Sequence, residues 1–347
     1  MKRILVRTPN WIGDQVLAYP FFKHLREQFP SAWIAAVCTE WVEDVQFKGL
    51  VDEVRVVPRL RSDSFYEAGR KLIRFSRSLK DSGPWDLGIT LPNSFGSALL
   101  LKLAGAKVRR GYAADARSFL LNEVIPYDPS GVLHRSQAYL NLLTPQGLPG
   151  HRAEEYWSQG LERDFDPYLN WAEYPPVEPP FEPYFVVAPG SNAESRRWSL
   201  NQFSDFIELM VEQHRLKPVV VGGRAEKEIA SELLRRGVPI LDFTALGKVA
   251  SLWKLFRGAS FTLSNDSGLA HVASLSGSRV QLVWGAGDPR RTLPIGPGPV
   301  RVKSNPVPCW PCERNQCRFE DIRMNQCLQG ISAEKIYEEV QSGFLMG

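Results

Sequence analysis

Apolar residues recur along the chain at two periods, and the alternation between them predicts the architecture. Arg3-Ile-Leu-Val-Arg7 reads as a short buried strand, followed by a turn-rich loop from Thr8 to Asp14. A helical pattern then runs from about Gln15 to Gln28, with Val16, Leu17, Tyr19, Phe22 and Leu25 at helical spacings and Phe29-Pro30 closing it. Trp33 to Cys38 reads as a second strand and completes a βαβ unit, which demands a parallel sheet covered by helices. The series continues with a strand at Glu53–Val57, a helix with a basic face from about Tyr66 to Lys80, a strand at Asp86–Thr90 and a helix from Phe95 to Leu103.

Between Tyr174 and Tyr184 stand Pro175, Pro176, Pro179, Pro180 and Pro183, a density at which neither helix nor sheet persists. Beyond it the alternation restarts, with strands expected at Tyr184–Ala188, Pro218–Val221, Pro239–Leu241, Phe261–Ser264 and Val280–Trp284. Helices are expected at about 200–214, 225–235, 249–256 and 268–275. The predicted class is therefore α/β with two doubly wound, Rossmann-like domains. Expected boundaries are 1–174, a Pro-rich linker 175–183 and a second domain 184–330 that includes a Cys-rich segment 309–327. A C-terminal helix within 331–347 is expected to pack back on the first domain. Two such sheets joined by a linker leave a cleft, and open α/β sheets bind ligands beyond the carboxyl ends of their strands.

At 347 residues with 44% hydrophobic and 23% charged side chains, the chain excludes disorder, collagen-like repeats and coiled coil as its main architecture. The net charge of +4 is too mild for a dedicated nucleic-acid binder. It is unevenly placed: residues 1–150 hold 20 basic and 14 acidic side chains, residues 151–347 hold 22 and 24. No stretch approaches the roughly 20 apolar residues of a transmembrane helix, and Met1-Lys2-Arg3 runs straight into the first strand, so a cytoplasmic location is the expectation.

Three strands of the second half run into polar, Gly-bearing loops: Pro189-Gly190-Ser191-Asn192, Gly222-Gly223-Arg224 and Asn265-Asp266-Ser267-Gly268. Asp266, Ser267 and Gly268 stand where a helix begins, so backbone N–H groups and the positive helix end suit a phosphate, and His271 falls one turn later. The same residues also suit a plain N-cap and a packed core histidine. Arg196-Arg197-Trp198 offers guanidinium groups for a diphosphate, or a solvated charge run. Neither a Walker A loop nor a GxGxxG fingerprint occurs, which counts against a P-loop kinase or an ordinary dehydrogenase. In the first half, Gly13 permits close approach to the backbone, and Asp14 offers a carboxylate for general-base work on a sugar hydroxyl, or a helix cap. Cys309, Cys312, Cys317 and Cys327 form a cluster that zinc, reduced structural thiols or disulfides would each satisfy. His24, His134, His151 and His214 have no metal-triad spacing and read as surface or structural residues.

Taken in order, these segments resemble the ADP-heptose:lipopolysaccharide heptosyltransferases of glycosyltransferase family 9. The quoted features are Arg7-Thr-Pro-Asn-Trp-Ile-Gly-Asp14 with Pro20, Gly111-Tyr112 with Arg117 and Leu120-Leu121, and Pro189-Gly190 leading to Arg196-Arg197-Trp198. They continue with Ser264-Asn-Asp-Ser-Gly-Leu-Ala-His271, Gly285 with Asp288-Pro289, and the Cys309 to Cys327 segment ending in Leu328. Members commonly carry Lys where Arg196 stands, and Gly285-Ala-Gly-Asp-Pro289 lacks a Thr often seen there. The resemblance implies a GT-B architecture, with an acceptor domain and a nucleotide-sugar domain facing across a cleft. It implies inverting transfer of a heptose from ADP-L-glycero-D-manno-heptose to the inner core of lipopolysaccharide.

By the same resemblance, Asp14 is the catalytic base, with Asn10, Gly13 and Arg117 near the acceptor. Arg196, Arg197, Glu226, Asn265, Asp266, Ser267, Gly268 and His271 serve the donor, and the Leu246–Val249 stretch lies near the adenine. No cofactor is needed for catalysis, and a structural zinc at the four cysteines is one expectation. The implied acceptor is a Kdo- and heptose-containing lipid A core, met at the cytoplasmic face of the inner membrane without nucleic acid. Arg59, Arg61, Arg70, Lys71, Arg74, Arg109 and Arg110, with Arg117 and Arg135, are candidates for a cationic acceptor surface. The alternatives are a GT-B enzyme using another nucleotide sugar, such as an epimerase, and an inactive nucleotide-sugar-binding protein.

Overall fold

Strand β1 spans Arg3–Arg7, and its Ile4, Leu5 and Val6 are fully enclosed, the uninterrupted apolar run that a strand covered on both faces requires. The computed structural model describes residues 2–59, 64–126, 132–144 and 171–345; Arg61 and His151 lie outside them. After β1 come α1 (Ile12–Leu17), α2 (Tyr19–Gln28), β2 (Trp33–Thr39), β3 (Glu53–Val57) and α3 (Phe65–Asp81). They are followed by β4 (Leu87–Thr90), α4 (Phe95–Leu103), β5 (Val108–Tyr112), β6 (Glu123–Ile125) and α5 (Arg135–Leu140).

The helix expected over 15–28 begins earlier and is two helices. Pro20, in the first turn of α2, has no N–H to give to the last turn of α1, and the chain steps at Ala18. β5 and β6 carry Arg109, Arg110 and Glu123, and this polarity hides them from a search for apolar runs.

Six parallel strands lie in the order β3-β2-β1-β4-β5-β6. β1 is central, with Ile4 in register with Ile34 on one side and Leu87 on the other. The chain winds outward from β1 through β2 and β3, then returns to its other flank at β4. Loops leaving the carboxyl ends of β1 and β4 therefore diverge, which is where open α/β sheets form a ligand crevice. On one face of the sheet, Leu72, Phe75 and Leu79 of α3 pack with Trp85, Leu100 and Leu101. Trp85 is fully buried and donates its indole N–H to the Leu79 carbonyl at 2.8 Å. Each such side chain contributes about 1.5–3 kcal/mol.

Strands β7 (Tyr184–Ala188), β8 (Lys217–Gly222), β9 (Leu241–Thr244), β10 (Thr262–Asn265), β11 (Val280–Trp284) and β12 (Val300–Ser304) build the second sheet, in the order β12-β11-β10-β7-β8-β9. Counted from β7, this is the strand order of the first sheet. The change of direction again falls between the first and fourth strands, where Leu263 registers with Val187. Pro239 lacks an N–H for the ladder, and β9 starts at Leu241 rather than at 239.

The chain divides into two compact units, Met1–Trp171 and Ala172–Gly347. The proline run belongs with the second unit: the Val177 N–H donates to the Ser251 carbonyl at 2.9 Å, and Lys254 pairs with Glu178 at 2.6 Å. The C-terminal helix, Ala333–Val340, also belongs there. Ile336, Val340 and Phe344 are buried with Phe206 and Phe261, because the apolar stripe of this helix covers one face of the second sheet. Among the described residues, no helix is long and apolar enough to cross a membrane.

Candidate active site

In the first unit, the loop after β1 is held from below. Arg7, buried against the sheet edge, donates to the Thr8 and Val37 carbonyls at 2.6 and 3.1 Å and to the Asn10 side chain. Burial lowers this guanidinium to about 10, still cationic at neutral pH. The Trp41 indole donates to the Asn10 carbonyl. Asn10 thus acts as a staple of the loop that delivers Gly13 and Asp14. Gly13 is buried in α1, and Asp14 occupies the first turn of that helix, where the macrodipole favours a carboxylate. Its Oδ1 lies 3.7 Å from Nε of Arg135, the first residue of α5. Tyr139, one turn on, is buried, and its phenol is raised well above its ordinary range by burial and by the charge of Asp14.

Arg117, expected near the acceptor, turns its guanidinium into the fold. It is fully buried, and its guanidinium donates to the carbonyls of Pro92, Ser94 and Tyr112 and to Asn93. Its charge ties together the loops that follow β4 and β5. Arg109 and Arg110 are also occupied within the fold: Arg109 donates to Leu120 and Ala106, and Arg110 pairs with Glu123 and holds the Leu142 and Leu143 carbonyls. Arg59 pairs with Glu40 at 2.6 Å. Arg70, Lys71 and Arg74 are exposed on α3.

In the second unit, the three Gly-bearing loops converge on the carboxyl edge of the sheet. Ser191 Oγ donates to the Asp266 carbonyl at 3.0 Å, joining the loops after β7 and β10. Asn265 is fully enclosed: its Oδ1 accepts from the Trp198 N–H at 3.0 Å, and its Nδ2 donates to the Pro189 carbonyl at 2.6 Å. With both ends of its amide bonded to backbone, Asn265 holds the loops after β7 and β10 together. Asp266 is 4% exposed, and its Oδ2 lies 3.0 Å from Nη1 of Arg196, which keeps 29% of its side chain open. Asp266 therefore aims Arg196. Arg197 is exposed, with its Nε on the Ser191 carbonyl at 2.7 Å.

Ser267 is the N-cap of the helix Gly268–Leu275, but its side chain makes no cap; its hydroxyl lies 3.3 Å from Ser264 Oγ. A helix start left without a side-chain cap presents its first N–H groups to an incoming anion. His271, in the first turn of that helix, is buried. Glu226 reaches across two loops: Oε2 accepts from the Gly223 N–H at 2.7 Å, and a Cβ on Gly190 would stand 2.5 Å from Oε1. Gly190 is small because the Glu226 carboxylate occupies the space a side chain would take.

The Cys-rich segment backs this edge. Cys312 and Glu313 donate their N–H groups to the Ala286 carbonyl at 3.1 and 2.8 Å, and the Trp310 indole donates to Gly285 at 2.8 Å. Ser195 N–H donates to Asn315 at 3.2 Å, and Ser195 Oγ donates to Arg314. Segment 310–315 thus braces the turn that carries Arg196, a function the cysteine spacing does not reveal. The zinc expectation is corrected here. All four cysteines are free, and among the described residues no group of three or more His, Cys, Asp or Glu side chains is placed to hold a metal ion.

A Cβ on Gly285 would stand 2.5 Å from the Ser195 carbonyl oxygen and 3.1 Å from Leu328. Gly285→Ala is therefore expected to cost about 1–3 kcal/mol and to displace the Arg196 turn. Thermal unfolding reads the first effect and donor KM the second; a variant as stable as the parent would mean that the brace yields freely.

Residues 72–323 match the description "Glycosyltransferase family 9 (heptosyltransferase)". Lipooligosaccharide heptosyltransferase 2 of Haemophilus influenzae is 22% identical over 327 residues, covering 84% of this chain and 86% of that protein. The structure of an Escherichia coli ADP-heptose LPS heptosyltransferase II superposes with a TM-score of 0.75 at 21% identity, covering 99% of this chain and 98% of the other. That of the E. coli heptosyltransferase WaaC with ADP gives 0.72 at 17% identity, covering 98% and 99%.

Proposed function

The chain belongs to glycosyltransferase family 9, the heptosyltransferases, and from that premise we propose that it moves a heptose, with inversion, from ADP-L-glycero-D-manno-heptose to the inner core of lipopolysaccharide. The observation that carries the reading is the Arg196–Asp266 pair beside the uncapped start of helix Gly268–Leu275. A fixed guanidinium and free helix N–H groups at one sheet edge are what a departing diphosphate needs.

In the proposed displacement, the acceptor oxygen attacks the anomeric carbon as Asp14 takes its proton. The bond from that carbon to the ADP oxygen breaks on the opposite face. Negative charge growing on the diphosphate is met by the N–H groups of Ser267 and Gly268 and by Arg196, with Arg197 at the rim. Glu226 is assigned to the donor ribose, and Leu246, 44% exposed, to the adenine. This scheme asks for no cofactor. The acceptor is assigned as a Kdo- and heptose-containing lipid A core, reached at the cytoplasmic face of the inner membrane by peripheral contact.

Incubation with ADP-heptose and a set of truncated core acceptors tests the proposal. The expected product is one heptose heavier than the acceptor, with the anomeric configuration inverted relative to the donor. Transfer from a different nucleotide sugar, or tight ADP-heptose binding with no product, would replace it with a related sugar transferase or a non-catalytic binder.

A further inference from the structure

Helix α3 carries more charge on its outer face than the fold uses. Its inner side, Leu72, Phe75 and Leu79, is committed to the core. Its outer side presents Tyr66, Arg70, Ile73 and Arg77 at steps of four, three and four residues, with Arg74 alongside, so they form one stripe down the helix. Tyr66 is 71% exposed and Ile73 41%, and the Arg70 guanidinium lies 5.7 Å from the centre of the Tyr66 ring.

The helix holds five basic residues, Arg70, Lys71, Arg74, Arg77 and Lys80, against Glu67 and Asp81. Among the described residues, no ion pair engages Arg70, Arg74 or Arg77. These arginines line a depression of about 610 Å³ with Glu67, Lys71 and Ile73. The helix Leu200–His214 of the second unit has no Lys or Arg and three acidic residues, so a cationic face is not a general property of the helices here.

A helix anchored on one side, with arginines flanking an exposed aromatic and an exposed aliphatic residue on the other, has the composition of a surface that lies in a phospholipid headgroup layer. We propose that the outer face of α3 docks on an anionic phospholipid surface, with Arg70, Arg74 and Arg77 among the headgroup phosphates and Tyr66 and Ile73 at their inner margin. The docking deepens the proposed function, resting on it only for its use: an acceptor carried by a lipid is found by diffusion in a plane rather than in bulk.

The test is flotation of the full chain with phosphatidylcholine vesicles, with and without phosphatidylglycerol. The expected result is binding only when phosphatidylglycerol is present, weakening as salt rises. R70Q/R74Q/R77Q should lower the apparent partition coefficient roughly tenfold or more, with thermal unfolding unchanged because the inner face is untouched. Transfer to a soluble, deacylated acceptor is measured on the same proteins, and a fall in flotation larger than any fall in that transfer is the expected pattern. Equal flotation of parent and variant, or flotation indifferent to lipid charge, overturns the docking. So does binding that inorganic phosphate abolishes while vesicles fail to capture the chain, which would mark a site for a soluble anion. A parent protein that floats but transfers nothing to any acceptor overturns the proposed function and leaves the docking standing.

Discussion

Asp14→Asn is expected to lower kcat by about 10²–10⁴-fold, the usual worth of a positioned general base, while changing the affinity for ADP by less than about twofold. Asparagine keeps the volume of the side chain and can still face Arg135, 3.7 Å away in the parent, but it cannot accept the proton of an acceptor hydroxyl. The groups assigned to the donor lie on loops after β7, β8, β9 and β10 in the other unit, so calorimetric titration with ADP should hardly register the change. A kcat near that of the parent would take the base role away from Asp14.

Arg196→Ala is expected to act on two measurements at once. Removing the guanidinium leaves Asp266, 4% exposed, as a buried carboxylate without its 3.0 Å partner, and breaking such a pair costs about 3 kcal/mol. The same change removes a charged donor from the diphosphate, raising donor KM roughly tenfold to a hundredfold. The double variant Arg196→Ala/Asp266→Asn separates the two effects. Neutralising the stranded carboxylate should restore most of the stability, whereas KM should stay high. Recovery of KM in the double variant would mean that Arg196 serves only to neutralise Asp266.

Both sheets were legible from apolar periodicity because buried parallel strands are nearly continuous runs of Val, Ile, Leu and Ala, as in β1 and β7. Polar strands were not: β5 and β6 carry Arg109, Arg110 and Glu123, and β12 alternates Val with Arg and Lys. Asp14, Arg196 and Ser267 were legible as candidates because each follows a strand closely, and in this fold those positions sit at the carboxyl edge. Side chains that act from afar were not. Arg135 is placed opposite Asp14 by a separate helix, and no local pattern announces such a partner.

Arg117 and Asn265 hold the loops from within. Their residue types suit ligands, but burial has turned their hydrogen-bonding capacity inward to loop carbonyls, and exposure is not written in residue type. The cysteine cluster misled, since spacing constrains which thiols are near one another but not whether their sulfur atoms converge.

The shared strand order of the two sheets bears on how the chain is made. A parallel sheet of this order cannot close until its fourth strand arrives, since β1 pairs with β4 and β7 with β10, and such long-range closure is slow. Two sheets with the same order and similar apolar strands would be able to exchange partners if both were unfolded together. Vectorial synthesis keeps them apart: β6 ends at Ile125, and β10 begins only at Thr262. At about 5–20 residues per second, the first sheet has on the order of ten seconds to close before the ribosome delivers the strand that would compete for its centre. Refolding of the full-length chain from denaturant lacks that head start.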